Sequence, residues 1–178
     1  MAGVISRRRE AICKRWLDRI FGEYPAEGAT FLRDQRDPFA NPVGAAFAQG
    51  TADIFDGLIE GHGEEQLAAA LDRVVRVRAV QELTPAQAVG FLFHLKSVVR
   101  EELAAEVARC SEELARFDEG VDRLVLIAFN VFTACREELY TIRVNAIQNR
   151  SLKMMERLND WRGRRYGTAG DGPAELDS

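Results

Sequence analysis

Apolar side chains recur at intervals of three and four residues along almost the whole chain. This spacing gathers them on one face of an α-helix. No stretch keeps the alternation of apolar and polar residues, bounded by turn residues, that half-buried strands show. The pattern therefore predicts an all-α protein of five to six helices.

The first three helices are bounded by capping residues and glycines. The first begins near Ser6, which we read as its N-cap, and ends at Gly22. The second begins at the cap pair Asn41–Pro42 and ends at Gly61. The third runs from about Glu64 to Gln81, and a short helical turn over 26–32 would be a sixth element.

The last two helices are predicted to be longer. The fourth begins at Thr84–Pro85 and extends to about Leu114, and its middle, 88–95, is apolar on nearly all sides, which is typical of a central core helix. A turn over Phe117–Gly120 then leads into a fifth helix that ends at about Asp160. Because a short connection makes neighbouring helices antiparallel, the pattern predicts a long antiparallel C-terminal pair, in a helical bundle or a globin-like arrangement.

The fifth helix is predicted to overhang its neighbour by about ten residues. Its apolar residues there need cover from the first helix or from a second subunit, and these two alternatives stay open. They are Ile147, Leu152, Met155, Leu158 and Trp161. Since the chain after Arg165 is rich in glycine and acidic residues, we expect one helical domain over 1–165 and a disordered tail over 166–178.

Composition narrows the class of protein without naming a reaction. The chain has 178 residues, 47% hydrophobic and 29% charged, which is typical of one globular domain. Cys13, Cys110 and Cys135 are too far apart to indicate a disulfide framework or a zinc site. No apolar run approaches the roughly 20 residues that span a bilayer, so we expect a cytoplasmic protein with no membrane insertion.

Candidate chemistry is sparse. The motifs of phosphate-binding loops, dinucleotide-binding folds, serine hydrolases and zinc proteases are absent from the sequence, so we expect no enzyme and no cofactor. His94 is interpreted as a core or interface histidine, with haem ligation in a globin-like sensor as the alternative. His62 lies between two glycines and is expected in a loop or at a helix cap. Neighbouring glutamates, such as Glu101 with Glu102, are interpreted as solvated faces paired with arginines four residues away.

The C-terminal region is locally basic. Between positions 143 and 165 there are seven arginines and lysines against two acidic residues, although the whole chain has a net charge of -4. Such a surface can solubilise a helix end or hold an acidic partner. Because neither a helix-turn-helix spacing nor interleaved stacking aromatics accompany it, we expect no nucleic-acid partner.

The segment 36–44 is the most distinctive string in the chain. It predicts a turn, one buried aromatic residue, Phe39, and a helix cap, Asn41. One interpretation is a rigid loop that fixes how the second helix enters the core. The other is a ligand or partner site, with Asp37, Phe39 and Asn41 as its candidate residues.

Three strings in order resemble the N-terminal domain of RsbT co-antagonist RsbRD proteins. They are 37–44, 83–89 leading into Lys96 and 100–102, and Tyr140-x-x-Arg143-Val144-Asn145. The resemblance covers most of residues 5–160 and implies a helical, non-enzymatic sensory or regulatory module in bacterial stress-response signalling. Such domains usually precede a STAS domain, for which 178 residues leave no room, so we expect a stand-alone version.

The resemblance carries no catalytic residues to this chain, and it directs attention to binding. We expect a homodimer, an unknown regulatory protein partner and a small-molecule signal. Together with the loop residues, the candidate binding residues are His94, Arg143 and Asn145.

Overall fold

A computed structural model describes residues 3–35, 37–81, 83–106 and 109–166. These residues are all-α and include no strand. The helices are α1 (Val4–Arg7), α2 (Arg9–Gly22), α3 (Ala26–Asp34), α4 (Pro42–Glu60), α5 (Glu64–Ala79), α6 (Pro85–Gly90), α7 (Phe93–Glu102) and α8 (Ser111–Tyr166). Besides the single turn α1, seven helices lie in the described residues, so the expected count of five to six was too low.

The chain divides into two compact units, Met1–Arg136 and Glu137–Ser178. Residues 1–165 as one domain therefore stay a prediction, as does the tail, because 167–178 lie outside the described residues. Among the described helices, none is both long enough and apolar enough to cross a membrane.

The start of the first helix differs from the prediction. The backbone breaks at Arg8 between α1 and α2, and Ser6 lies inside α1 instead of capping a helix. The free N–H groups of Val4 and Ile5 donate to the Glu113 carboxylate at 3.1 and 3.0 Å. The Glu113 carboxylate, distant in sequence, thus caps the start of this helix in place of Ser6.

Helices α4 and α5 begin where the sequence predicts, and they pack closely against each other. The Oδ1 atom of Asn41 accepts the Gly44 N–H at 2.8 Å, and α4 ends at Gly61 in the left-handed conformation with φ 71°. A Cβ atom at Gly50 would lie 2.5 Å from Cγ2 of Val74 on α5. Glycine at position 50 therefore sets how near the two helices approach.

The predicted fourth helix is two helices. It starts at Thr84, whose hydroxyl accepts the Gln87 N–H at 3.3 Å, but the α-helical ladder is interrupted between Gly90 and Phe93. The carbonyl oxygen of Phe91 accepts the His94 N–H at 3.3 Å and also the indole N–H of Trp16 at 2.9 Å. As predicted, most of 88–95 is buried, with Phe91, Leu92 and Leu95 fully so.

The predicted turn at Phe117–Gly120 is wrong, because those residues lie inside α8. The chain turns between Glu102 and Ser111, so the fourth helix ends well before Leu114. Gly120 serves close packing: an added Cβ would lie 3.2 Å from Cδ2 of Leu58. Phe117, read as a turn residue, is buried.

Two ion pairs fix the direction of α7 against the N-terminal part of α8. Lys96 pairs with Asp122 at 2.6 Å, and Arg100 pairs with Asp118. The residue number rises from 96 to 100 on α7 while the number of its partner on α8 falls from 122 to 118, so these segments are antiparallel. The antiparallel pairing is thus present, although α7 is only 10 residues long.

The core of the first unit is built from α2, α4, α5, α6, α7 and 111–136. Trp16 and Phe91 stack with ring centroids 6.0 Å apart, and Phe47 meets Phe21 edge to face. From α8, every third or fourth residue joins this core: Leu114, Phe117, Val121, Leu124, Ala128, Phe132 and Cys135. The helical spacing predicts a stripe along this helix from Val121 to Ala146. Val121, Leu124, Ala128 and Cys135 are buried as expected, whereas Val131 and Leu139 are half-buried and Ile142 and Ala146 are exposed.

Candidate interaction surface

The loop before α4 is held by two short-range motifs. Oδ1 of Asp37 accepts the Phe39 N–H at 3.0 Å, which closes an Asx turn. Asn41 is buried, and its Nδ2 donates to the carbonyl oxygens of Leu32 at 3.2 Å and Gln35 at 2.9 Å. The loop thus joins the end of α3 to the start of α4, while its first predicted residue, Arg36, lies outside the described residues.

Phe39 contradicts the expectation of a buried aromatic residue. Its side chain is 96% exposed, on the Asx turn that Asp37 closes. The structure brings Asp37, Phe39 and Asn41 together in one turn. Of the three, Phe39 alone offers an apolar surface to a partner, and their role as binding residues stays a prediction.

His94 lies at the rim of the first unit, not in its core. Its side chain is 39% exposed, and Nε2 lies 2.8 Å from Oε1 of Glu23. The other oxygen of Glu23 accepts from Nη2 of Arg78 at 2.6 Å, and the same nitrogen donates to the Gln87 carbonyl at 2.8 Å. One carboxylate therefore joins residues of α5 and α7 at the end of α2.

Arg78 is the most buried charge in this cluster. Its side chain is 2% exposed, its guanidinium lies 5.1 Å from the centroid of the Phe91 ring, and its Nε and Nη1 atoms have no hydrogen-bond partner. Sequence reasoning missed Glu23 and Arg78, since both sit among exposed charges on helix faces. Arg78 does follow Leu71, Val74 and Val75 at helical spacing, and that was the available signal.

This cluster does not resemble a haem pocket. A proximal histidine needs a free Nε2 that faces the iron. Here Nε2 of His94 is engaged by Glu23, and Nε2 of His62 lies 2.9 Å from Oε2 of Glu60. Within the described residues, no group of three or more histidine, cysteine or carboxylate side chains is arranged to hold a metal ion.

The glutamate pairs connect helices. Glu101 forms ion pairs with both Arg15 and Arg19, and Glu102 pairs with Arg15 at 3.0 Å. These arginines belong to α2, so for this pair the expectation of partners four residues along the same helix was wrong. Glu112 does pair in that way with Arg116, at 3.6 Å.

A depression of about 360 Å³ lies on the first unit between α1, α4 and α8. Its walls include Ile5, Leu58, Ile59 and Phe117. None of residues 37–44 lines it, so it does not join the loop to a pocket. A small-molecule signal stays a prediction.

The second unit presents a row of exposed apolar side chains. Every described side chain of 137–165 is exposed except the half-buried Leu139 and Val144. Six apolar side chains follow one another at alternating steps of three, four or seven residues on one side of the helix. We call them the C-terminal apolar face: Tyr140, Val144, Ile147, Met154, Leu158 and Trp161.

Arg143 lies along one edge of this face, and Asn145 lies on the outer surface of the same helix. Both side chains are exposed, and each is one residue from Val144. Of the five apolar residues expected in the overhang, Ile147, Leu158 and Trp161 lie on this face, whereas Leu152 and Met155 are exposed outside it. The sequence analysis did not identify the seven-residue spacing of Tyr140, Ile147, Met154 and Trp161. That spacing is the signal that defines the face.

Of the comparisons with known proteins, the family model gives a family, and none gives an activity. The model of the RsbT co-antagonist protein rsbRD N-terminal domain matches residues 10–147, and no STAS domain is matched in these 178 residues. An uncharacterized protein of Archaeoglobus fulgidus is 20% identical over 161 residues, which cover 88% of this chain and 95% of that protein. No solved structure matches. Because the family model spans most of the chain, this protein belongs to the family of RsbT co-antagonist rsbRD N-terminal domains.

Proposed function

We propose that this protein is a non-enzymatic regulatory module that acts by binding another protein through its C-terminal apolar face. The carrying observation is the exposure of that face: Tyr140, Ile147 and Met154 are 70, 63 and 66% exposed. Single exposed apolar residues are ordinary, whereas a contiguous apolar row marks an interaction site. The family supports the regulatory part of the proposal.

The shape of the face favours a helical partner. From Tyr140 to Trp161 it follows about 32 Å of helix, at a rise of about 1.5 Å per residue. Apolar residues at steps of three and four pack as knobs into the holes of a second helix. The partner we propose is therefore a helix of comparable length.

The proposal contains no catalytic step. The histidine–carboxylate pair of His94 and Glu23, together with Arg78, holds helices together. The cytoplasmic, stress-response setting comes into the proposal from the family, and so does the regulatory role.

The homodimer expected from sequence competes for the same face. Either a second copy of this chain or a different protein could cover Ile147 and Leu158. The charges beside the face distinguish the two occupants.

Site-specific photo-crosslinking in cells of the natural host tests this function. A crosslinking amino acid at position 147 lies on the face, and one at the exposed position 149 lies on the opposite side of the same helix. We expect a discrete crosslinked protein from position 147 and much less from position 149. Equal crosslinking from both positions, or none from 147, would contradict the proposal.

A further inference from the structure

The C-terminal apolar face has the heptad positions of a coiled coil. Tyr140, Ile147, Met154 and Trp161 are seven residues apart and occupy the d position. Val144, Ser151 and Leu158 occupy the a position between them. This assignment fixes which residues flank the seam on each side.

Arginine occupies every g position of this segment. Arg143, Arg150, Arg157 and Arg164 are also seven residues apart, so they form one row along a single edge of the apolar face. All four side chains are exposed. None of the four donates to a carboxylate within the described part of the chain; Nε of Arg164 donates to the backbone oxygen of Asp160 at 3.4 Å.

The other edge of the face offers no counter-charge. Its e positions hold Thr141, Gln148, Met155 and Arg162. The acidic residues of the segment, Glu156 and Asp160, lie at outer positions away from the seam. Neither of these carboxylates is paired with the arginine row in the structure, and a partner helix that carries carboxylates beside the seam would be complementary to the row.

The same segment of a second copy supplies none at the positions that would face the row. In a parallel pair, g faces e of the other helix, so Arg143 meets Gln148 and Arg150 meets Met155. In an antiparallel pair, g faces g, so the arginine rows would meet each other. Like charges opposite one another destabilise such a pair.

We propose that the occupant of the C-terminal apolar face is an acidic amphipathic helix of a different protein. Its apolar residues would cover Ile147, Met154 and Leu158, and its flanking carboxylates would pair with the arginine row. This inference rests on the proposed function and adds the chemistry of the partner to it.

The one-sided placement of the arginines favours a helix over a lipid surface. A helix that lies on an anionic membrane carries cations across its polar face. Here the edge opposite the arginine row carries Thr141, Gln148 and Met155, and Arg162 is its one cation. An exact seven-residue arginine repeat matches the heptad of a partner helix.

The test uses the full chain and two designed helical peptides of about four heptads, identical except for glutamate or lysine at every e and g position. Fluorescence of Trp161 reports binding, because Trp161 is 49% exposed whereas Trp16 is fully buried. Four added ion pairs predict that the glutamate peptide binds at least about tenfold more tightly than the lysine peptide. Rising salt should weaken the preference.

A charge-reversed chain provides the matched control. Replacing the four arginines by glutamate (R143E, R150E, R157E and R164E) changes exposed side chains only and should reverse the preference, so that the lysine peptide binds more tightly. Helix content by circular dichroism verifies that the variant is folded. Reversal supports the proposal, because non-specific binding to the apolar face would give no preference between the glutamate and lysine peptides.

Four outcomes overturn the inference. They are equal affinity for both peptides, binding of neither peptide, tighter binding to vesicles of mixed phosphatidylserine and phosphatidylcholine, and a stable homodimer that uses position 147. Equal affinity would leave the apolar face as a docking surface and remove only the acidic partner. Failure of the crosslink from position 147, in contrast, would remove the proposed function itself.

Discussion

Asn41 shows at the residue scale how much of a site can be predicted from sequence. The pair Asn41–Pro42 identified a helix start, and Oδ1 does cap α4. The sequence did not reveal that Nδ2 binds the carbonyls of Leu32 and Gln35, because the position of the α3 end depends on tertiary packing. The same limit hid Arg78, whose burial is decided by Glu23 and Phe91 on other segments.

Replacing Asn41 by aspartate should destabilise the protein. Aspartate is as good a cap as asparagine at an exposed helix start, but here it would set a carboxylate oxygen against two backbone carbonyls. We expect a loss of about 2 kcal/mol in the free energy of unfolding, measured with urea. The exposed cap variant Thr84→Asp is the control and should change stability by less than about 0.5 kcal/mol. A small effect for Asn41→Asp would mean that the Nδ2 bonds contribute little.

Cys13 gives a pH dependence of stability. Burial raises the pKa of its thiol from 9.0 to about 11, against the opposing charge of Arg9. The folded state then holds the proton more tightly than the unfolded state, so this contribution is complete below pH 9 and is lost as the pH rises toward 11. Between pH 8 and pH 11, the midpoint temperature of thermal unfolding should fall more steeply for the natural protein than for Cys13→Ala. Parallel curves for the two proteins would count against this assignment.

At the scale of elements, the sequence located helices where capping chemistry is local. Asn41–Pro42 and Thr84–Pro85 mark the starts of α4 and α6 because the cap bonds span only three residues. The turn at Phe117–Gly120 was mislocated because a glycine inside a helix and a glycine in a turn read alike. Contact of Gly120 with Leu58 of another helix decides between them.

Close packing of α4 on α5 can be tested with alanine at two glycines. A Cβ at position 50 would collide with the buried, β-branched Val74, so Gly50→Ala should lower the free energy of unfolding by about 1–2 kcal/mol despite its better helix propensity. Gly28→Ala in α3 has no atom within 4 Å of the new Cβ and should stabilise by up to about 1 kcal/mol. Chemical denaturation of both variants provides the comparison. Similar changes for the two would show that α5 yields at Val74.

At the scale of the whole molecule, the average charge conceals the feature that matters. The chain has a net charge of -4, yet residues 137–166 contain seven basic and four acidic side chains. Composition and periodicity predicted an all-α protein, a basic C-terminal region and an apolar overhang. They did not assign the partner, because its chemistry follows from the register of the arginines relative to an exposed apolar face.

In our proposal, residues 137–165 present an apolar face that another protein covers. Hydrogen–deuterium exchange of the full chain is the sharpest test, because most helical stability in proteins comes from tertiary packing, and the side chains of 137–165 have little of it. In the chain alone, we predict that amides of 137–165 exchange much faster than those of 114–135, at a rate independent of protein concentration, and that the glutamate peptide slows them. Strong protection of 137–165 in the chain alone, or exchange unchanged by the peptide, would contradict the account.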